Sequence, residues 1–256
     1  APDEEHLALA ILDRITGEPD AYRSPTEMGV NRVGFAIVDD EAAREAARQE
    51  AARRYLRCAA EYMMGMADKA ALDKADLLLK ELGIGPEYRK VVPAARAAAA
   101  EARERAEADP GAAAGGVAAC GAALELPSGE IVSGKNSKLL HAATAAVLNA
   151  VKALAGVPDQ IHLLSPLVIE SIARLKREVL GRKSASLDVD EALIALSISA
   201  TLTPMVQACV DHLHELRGCQ MHLSHLPTPG DEAGLRKLGV NLTADPAYAT
   251  KRLFVE

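Results

Sequence analysis

The sequence predicts a mixed α/β protein, with a mainly helical subdomain over residues 1–112 and a layered α/β subdomain over residues 113–256. Alanine-rich segments with helical spacing fill most of the first part, whereas short apolar segments alternate with helix-length segments in the second. Strands that alternate with helices of this length are typical of a layered α/β domain. The boundary is placed at the small residues 112–116, which have the composition of a linker.

Helices are predicted through most of the first subdomain, over residues 41–65, 68–82 and 87–108. The second of them ends at Gly83, with Pro86 soon after, and this is a common order of residues at a helix C-terminus. Pro93 is expected to break or kink the first part of the third helix, because proline lacks a backbone N–H. A short strand is predicted before these helices, over residues 33–38.

A β-hairpin followed by a buried helix is predicted in the middle of the chain. Strands over residues 117–126 and 130–133 flank a turn at residues 127–129, and a helix follows over residues 137–155. Apolar residues surround this helix on most sides, as expected in the middle of a layered domain. Beyond it, strands are predicted at 160–164, 219–223 and 240–242, and helices at 165–180, 188–200, 203–216 and 231–238.

Composition argues against several classes of function. The net charge of −7 does not suit a broad nucleic-acid surface. The sequence has no apolar run of the ~18 residues that a membrane helix needs, and its acidic start is unlike a signal peptide. Its four cysteines form no C-x-x-C pair, which indicates reduced thiols. The sequence therefore predicts a cytoplasmic protein with no cofactor and with neither nucleic-acid nor membrane partners.

A loop at residues 22–31 combines proline, glycine and asparagine with two hydroxyl side chains, and it follows neither a helical nor a strand period. Two interpretations are open. Glycine and asparagine mark structural turns, whereas loops held on rigid elements often bind ligands. In the second interpretation, Ser24, Thr26 and Asn31 offer hydrogen bonds to a ligand.

The corner after the predicted hairpin reads Gly-Lys-Asn-Ser and nearly completes a P-loop pattern that starts at Gly129. Asn136 stands where that pattern needs a hydroxyl for magnesium, so a P-loop is not expected. A helix N-terminus still offers an anion free N–H groups and a favourable dipole, and Lys135 adds an ammonium. The candidate ligand-binding residues here are Gly134, Lys135, Asn136 and Ser137. In the alternative interpretation, Asn136 or Ser137 simply caps the helix.

The same helix carries His141-Ala142-Ala143 near its start, and a hairpin followed by such a helix is how zinc nucleoside deaminases present their H-A-E motif. Ala143 stands where the catalytic glutamate belongs, and the run from Pro204 to Cys209 lacks the P-C-x-x-C ligand pair. A zinc site of this kind needs three protein ligands, and only His141 is present. The sequence therefore predicts a deaminase-like topology without the zinc motif and without a metal site.

Four further histidines form two pairs in the sequence. His212 and His214 lie two residues apart on a predicted helix and therefore diverge. His222 and His225 lie three residues apart on a predicted strand and therefore face opposite sides. Neither spacing suits a shared metal ion, and all four side chains are expected to be partly exposed.

Several longer segments carry a family resemblance. They are SPTEMGVN, GKNSKLLHAATAAVLNAVKALAG, IHLLSP, DEALIALSISA, LRGC and LGVNLT, within residues 11–246. In these segments the chain resembles the C-terminal half of the bacterial domain-of-unknown-function 1846 family. The resemblance implies a helical subdomain followed by an α/β subdomain of cytidine-deaminase-like topology. It also implies that the missing N-terminal half of the family protein is a partner, and it assigns no catalytic residue.

Two functional hypotheses follow. In the first, the chain is the C-terminal part of a larger enzyme-like protein. The loop with Ser24 and the corner with Lys135 then help to form a site for a small anionic or phosphate-bearing ligand. In the second, the alanine-rich helices form a structural module that assembles into a homo-oligomer and has no catalytic activity of its own.

Overall fold

The computed structural model describes residues 40–108, 118–182 and 184–249. The chain divides into two compact units, residues 1–51 and 52–256, and the sheet belongs to the second unit. The strand predicted at residues 33–38 and the linker predicted at residues 112–116 lie outside the described residues. The predicted subdomain boundary after residue 112 therefore stays a prediction.

Three α-helices precede the sheet: α1 is Asp40–Met63, α2 is Lys69–Leu82 and α3 is Val91–Ala108. Asp68 caps α2 by accepting a hydrogen bond from the N–H of Ala71 at 2.7 Å, and Gly83 ends it in the left-handed conformation, with φ of 64°. A 3₁₀ turn over Pro86–Tyr88 replaces the predicted start of the third helix. Pro93 thus lies in the first turn of α3, where its missing N–H costs no intrahelical hydrogen bond.

The rest of the described chain contains four strands and five α-helices. In chain order they are β1 Gly121–Glu125, β2 Ile131–Lys135, α4 Ala142–Leu154, α5 Pro166–Arg174, α6 Val189–Ala200, α7 Pro204–Asp211, β3 Gln220–Leu223, α8 Pro229–Leu238 and β4 Asn241–Ala244. A π turn, Leu175–Val179, extends α5, and a 3₁₀ turn, Leu213–Leu216, follows α7. The strand predicted at residues 160–164 is wrong, because the N–H of Ile161 closes a turn onto the carbonyl of Pro158 at 3.0 Å.

The four strands form one mixed sheet in the order β2-β1-β3-β4. β1 pairs antiparallel with both β2 and β3, whereas β3 pairs parallel with β4. The parallel pair is connected through α8, as parallel neighbours require a crossover. The described residues thus confirm the mixed α/β class, with helices before a part in which strands and helices alternate.

Two glycines determine how closely helices approach the sheet. A Cβ atom on Gly121 of β1 would lie 2.2 Å from the carbonyl oxygen of Ala95 in α3. A Cβ atom on Gly134 of β2 would lie 2.2 Å from the backbone nitrogen of Ala146 in α4. Gly121 lies opposite Lys135 in the ladder, so the two glycines face opposite sides of the sheet. The β1–β2 hairpin is therefore sandwiched between α3 and α4.

Helix α4 is buried along most of its length, which confirms the prediction for this helix. Its buried residues are Ala142, Ala143, Thr144, Ala146, Val147, Leu148, Ala150, Val151 and Lys152. Because most of these side chains are small, the helix backbone can lie directly against the sheet and join the main apolar core. Neither α4 nor any other helix in the described part of the chain is long and apolar enough to cross a bilayer.

Replacing Gly134 by alanine is expected to destabilise the protein by ~2 kcal/mol or more, because the new methyl group meets helix backbone that cannot rotate away. The matched control is Gly85→Ala, whose Cβ would meet only the flexible end of the Glu87 side chain, at 2.8 Å, and should cost at most ~0.5 kcal/mol. Urea denaturation measures both. Equal stability losses in the two variants would contradict the close approach of α4.

Candidate functional site

The Gly-Lys-Asn-Ser corner does not open the long helix. Strand β2 continues to Lys135, and α4 begins only at Ala142, so the prediction of a corner at a helix N-terminus is wrong. The hydroxyl of Ser137 accepts the N–H groups of Leu139 at 3.2 Å and Leu140 at 3.1 Å. These bonds close a separate turn, and the chain then runs extended to the start of the helix.

The polar groups of the corner bond to the chain itself. Lys135 forms an ion pair with Glu101 of α3. The side chain of Asn136 accepts the N–H of Cys120 at 2.8 Å and donates to the carbonyl of Ala118 at 3.0 Å. The corner therefore fastens the hairpin to α3 and to the residues before β1.

The predicted ligand residues divide into two groups. Ser24, Thr26 and Asn31 lie outside the described residues. Gly134, Lys135, Asn136 and Ser137 are consecutive, at the end of β2 and in the turn after it. The ligand-binding role of the loop and of the corner therefore stays a prediction.

His141 and Asp231 form the arrangement with the clearest chemical potential. His141 is the N-cap residue of α4, and its Nδ1 lies 2.8 Å from Oδ2 of Asp231. The Asp231 side chain is fully buried, whereas 23% of the His141 side chain is exposed. Because a carboxylate only accepts hydrogen bonds, Nδ1 carries the proton, and Nε2 is left for proton exchange with a ligand.

Asp231 also accepts hydrogen bonds from two other elements. The N–H of Val189, the first residue of α6, donates to Oδ1 at 3.0 Å. The hydroxyl of Thr228, the N-cap of α8, donates to Oδ2 at 2.7 Å. A buried carboxylate is tolerated only when its oxygens are paired in this way. The carboxylate thereby joins the starts of α4, α6 and α8.

The starts of α6 and α8 are themselves in close contact. Asp188 caps α6 in a reciprocal capping box: it accepts the N–H of Glu191 at 2.9 Å, and Glu191 accepts the N–H of Asp188 at 3.2 Å. A Cβ atom on Gly230, in the first turn of α8, would lie 2.1 Å from Oδ2 of Asp188. Only glycine therefore permits the two helices to approach so closely.

A buried lysine supports this capping box. Lys176 lies in the π turn after α5, and its Nζ donates to the carbonyl of Ser186 and to Oε2 of Glu191, both at 2.6 Å. The π turn inserts one extra residue into the helical repeat and so changes the direction of the side chains that follow it. The ammonium consequently fixes Glu191, and with it the start of α6.

Within this cluster, the pKa values of His141 and Asp188 are raised and the pKa of Asp231 is lowered. Burial acts to lower the pKa of His141, but the hydrogen bond and charge of Asp231 outweigh it and raise that pKa above 6.5. Burial acts to raise the pKa of Asp231, but hydrogen bonds from His141, Thr228 and the N–H of Val189 hold it below 3.8. Burial raises the pKa of Asp188. The imidazole of His141 therefore keeps its added proton to a higher pH than an ordinary histidine does.

Two further buried groups lie within the electrostatic reach of Asp231. Burial lowers the pKa of His225 to about 4, so its imidazole is neutral at physiological pH. Burial and the charge of Asp231 raise the pKa of the Cys120 thiol to about 12. Because the thiolate is the reactive form, Cys120 is not an activated nucleophile.

The prediction that His222 and His225 are partly exposed is wrong, because β3 is an interior strand and both side chains are buried, at 0% and 6% exposure. His222 Nδ1 lies 3.0 Å from the hydroxyl of Thr243. Its Nε2 lies 3.3 Å from Oδ1 of Asp245, at an angle unsuited to a hydrogen bond. Arg96 of α3 binds both oxygens of Asp245, at 2.7 and 2.9 Å. This second network joins α3 to the sheet.

The described residues contain no cluster of three or more His, Cys, Asp or Glu side chains that can hold a metal ion. His212 is half-buried, as predicted, and His214 is exposed. His212 pairs with Glu215 at 2.6 Å, and His214 bonds to the carbonyl of Asp211 at 2.6 Å. Neither contact brings the two rings to a common point.

Sequence reasoning missed Thr228 and Asp231, although a signal was present. Thr followed by Pro229 and an acidic residue three positions later is the start signature of a helix. From Pro227 the run also has the spacing of P-C-x-x-C, with Thr228 and Asp231 in place of the two cysteines. The structure brings this run to His141, and not the run that begins at Pro204.

Residues 87–254 match the family model described as "Domain of unknown function DUF1846, C-terminal". The chain belongs to the DUF1846 family. Residues 6–83, which include α1 and α2, match the model of the N-terminal domain of DUF1846. The family resemblance is thus confirmed, and its restriction to the C-terminal half is corrected, because both models match.

Relatives of this DUF1846 chain include UPF0371 proteins from clostridia. The one from Clostridium botulinum (strain 657 / Type Ba4) is 43% identical over 244 residues, which is 95% of this chain and 47% of the relative. The one from Clostridium tetani (strain Massachusetts / E88) is 41% identical over 251 residues, or 97% of this chain and 48% of the relative. The chain spans about half the length of these relatives.

Asp231→Asn is expected to lower the pKa of His141, because burial then acts without the opposing charge of Asp231. NMR titration of the imidazole protons measures the pKa directly. The control is Asp190→Asn on α6, where the carboxylate pairs instead with Lys237 at 2.8 Å, and this variant should leave His141 unchanged. An unaltered pKa in Asp231→Asn would refute the coupling.

The same pair predicts a pH dependence of stability. The raised pKa of His141 stabilises the fold fully below pH 6.5, and this contribution is lost as pH rises through the folded pKa. The lowered pKa of Asp231 stabilises the fold above pH 3.8, and this contribution is lost as pH falls through the folded value. The stability difference between wild type and His141→Gln in urea should therefore be larger at pH 5.5 than at pH 9.

Proposed function

We propose that this DUF1846 chain is part of a larger enzyme-like protein and supplies a general acid–base pair to a site for a small anionic ligand. The observation that carries the proposal is the 2.8 Å contact between Nδ1 of the partly exposed His141 and the fully buried Asp231. A buried carboxylate that holds one ring nitrogen leaves the other to exchange protons with a bound molecule. The reaction class is proton transfer.

The roles of the two residues follow from their environments. Asp231 orients the ring, because its carboxylate is held by donors from α6 and α8 as well as by His141. His141 Nε2 takes a proton from the ligand and returns it in a later step. The hydrogen bond and charge of Asp231 raise the pKa of His141, which stabilises the protonated imidazole that forms after it takes the proton.

An anionic ligand suits the position of His141. The N-termini of α4, α6 and α8 meet around Asp231, and helix N-termini carry partial positive charge. The chain is about half as long as its clostridial relatives, so the remaining part of the family protein is proposed to complete the site. The four cysteines are free thiols, which supports a cytoplasmic location.

A cytidine-deaminase-like topology is part of this proposal. The hairpin β1–β2 leads into α4, and His141 is the N-cap residue of this helix. The H-A-E motif of deaminases likewise presents its histidine near the start of a helix that follows a hairpin. Thr228 and Asp231 take the places of the two cysteine ligands at the start of α8. A hydrogen-bonded His-Asp-Thr group would then stand where deaminases hold zinc, and Ala143 replaces their glutamate, so hydrolytic deamination is not the proposed reaction.

His141→Gln is expected to abolish turnover, with a loss of at least ~100-fold, the usual contribution of a general acid–base residue. The chain, produced together with the rest of the family protein, is incubated with a library of carboxylated and phosphorylated small molecules, and substrate loss and product formation are followed by NMR. The control is His214→Gln, which alters an exposed histidine outside the cluster. Turnover that survives unchanged in His141→Gln would reject the assignment.

A structural module that forms homo-oligomers is the second candidate, because an exposed apolar stripe runs along α6 and into the turn after it. On α6, Ile194 is 63% exposed and Ile198 46%, and residues four apart lie on one face of a helix. Leu202, in the turn after α6, is 79% exposed. Adjacent large apolar side chains left in water often mark an interface, and the proposed occupant is the same face of a second copy.

Ile198→Lys is expected to convert such an oligomer to a monomer, because it places a charge in the middle of the stripe. Sedimentation at micromolar concentration measures the change. Ser128→Lys, at an exposed position in the turn between β1 and β2, should leave the assembly intact. A wild-type chain that is monomeric under these conditions would eliminate the second candidate.

A further inference from the structure

The first turn of α4 holds three hydrogen-bond donors without acceptors. The N–H groups of Ala142, Ala143 and Thr144 bond to no acceptor within the described residues, although each of these residues is at most 1% exposed. The His141 side chain, which could have capped them, bonds to Asp231 instead. Buried N–H groups without partners are rare in proteins, and a buried helix start normally receives an external acceptor.

The neighbouring helix starts differ in this respect. The first N–H of α6, on Val189, bonds to Asp231 at 3.0 Å. Helix α8 begins with Pro229, which has no N–H, and the N–H of Asp231 bonds to Thr228 at 3.2 Å. At the first helical position, the described structure thus supplies an acceptor in α6 and has no donor in α8, whereas the first donor of α4 has no acceptor there.

His225 provides an independent sign of a missing partner. Its side chain is 6% exposed, and Nδ1 has no hydrogen-bond partner among the described residues. It lies two residues beyond β3 and three before Thr228, whose hydroxyl bonds to Asp231. The charges of Asp231 and His141 both act on its pKa, which places the ring in the same cluster.

We propose that the first turn of α4 and His225 bind one oxyanion group, a carboxylate or a phosphate, of the molecule on which His141 acts. The inference rests on the proposed function and adds the chemistry of recognition to it. A neutral imidazole can donate a hydrogen bond to the anion, and the dipole of α4 favours a negative charge at this end. Because His141 immediately precedes Ala142, the ligand atoms next to the bound anion lie beside the imidazole.

Inorganic phosphate and acetate serve as the probes, titrated separately into the ¹⁵N-labelled chain. The expected result is a saturable shift of the amide signals of Ala142, Ala143 and Thr144 with at least one probe. Tighter binding of phosphate assigns a phosphate group to the ligand, and tighter binding of acetate assigns a carboxylate. If neither probe moves these amides at tens of millimolar, a range that covers weak single-group ligands, the proposal is overturned.

Ala142→Pro removes one donor while keeping the helix, because proline is favoured at the first helical position. His141 already has extended backbone angles, φ −68° and ψ 157°, which suit the residue before a proline. Probe affinity should fall about tenfold, the cost of one hydrogen bond to a charged group. The matched control, Ala142→Gly, keeps the N–H and should bind within about twofold of wild type. Equal affinity in both variants overturns the proposal.

Three other variants separate this inference from its alternatives. His225→Gln should weaken probe binding, and unchanged affinity would remove His225 from the site. Lys135→Ala should leave binding intact, whereas a loss would move the anion site to the corner. His141→Gln should still bind the probe through the amides of α4 while turnover stops. Binding without any dependence of turnover on His141 would therefore refute the acid–base function and leave the anion site standing.

Discussion

The rest of the described α/β part depends on one buried charge. The carboxylate of Asp231 is fully removed from water, and such a group is stable only when donors surround it. Its donors come from His141, from the hydroxyl of Thr228 and from the N–H of Val189. Satisfying a single charge therefore brings three helix starts to one place. The same hydrogen bonds thus hold the three helix starts together and orient the imidazole of His141.

Close packing of α3 and α4 against the hairpin β1–β2 supports this arrangement. Gly134 lets the backbone of α4 rest on β2, and Gly121 lets α3 rest on the opposite face of β1. Arg96 and Asp245 then hold α3 to the end of β4. With both faces of the hairpin fixed, α4 cannot shift along the sheet without overlap of backbone atoms. The position of His141 is consequently set by backbone contacts, which are less adaptable than side-chain contacts.

Features with local signals could be predicted from the sequence, and features that depend on distant contacts could not. The helix predicted over residues 188–200 agrees with α6, whose capping box, Asp188 with Glu191, lies within four residues. The start of α4 was placed five residues early, because Ser137 resembles an N-cap while a bridge between Leu140 and Leu187 keeps the chain extended. Strand composition likewise cannot reveal that the side chains on both faces of β3 are buried.

In the candidate site, too, a feature with a local signal could be predicted and a distant contact could not. A local sequence motif indicates His141 as a candidate site residue, but its partner lies 90 residues further along the chain. No periodicity connects two positions at such a distance. In the sequence, Asp231 resembles an ordinary acidic residue in the first turn of a helix. Only the fold reveals that it is buried and lies where the starts of three helices meet. The polar side chains of the corner, by contrast, bond to α3 and to the residues before β1, and none of these partners belongs to the cluster around Asp231.

The position of β1 in the sheet has a consequence for synthesis on the ribosome. β1 forms the hairpin with β2 early, but its other edge pairs with β3, which emerges only after helices α4 to α7. Until then the nascent chain carries an open strand edge, and such edges recruit other strands. Pairing between strands so distant in sequence also slows folding. A pause in translation before residue 220 would prolong this exposure, whereas a pause after β4 would not.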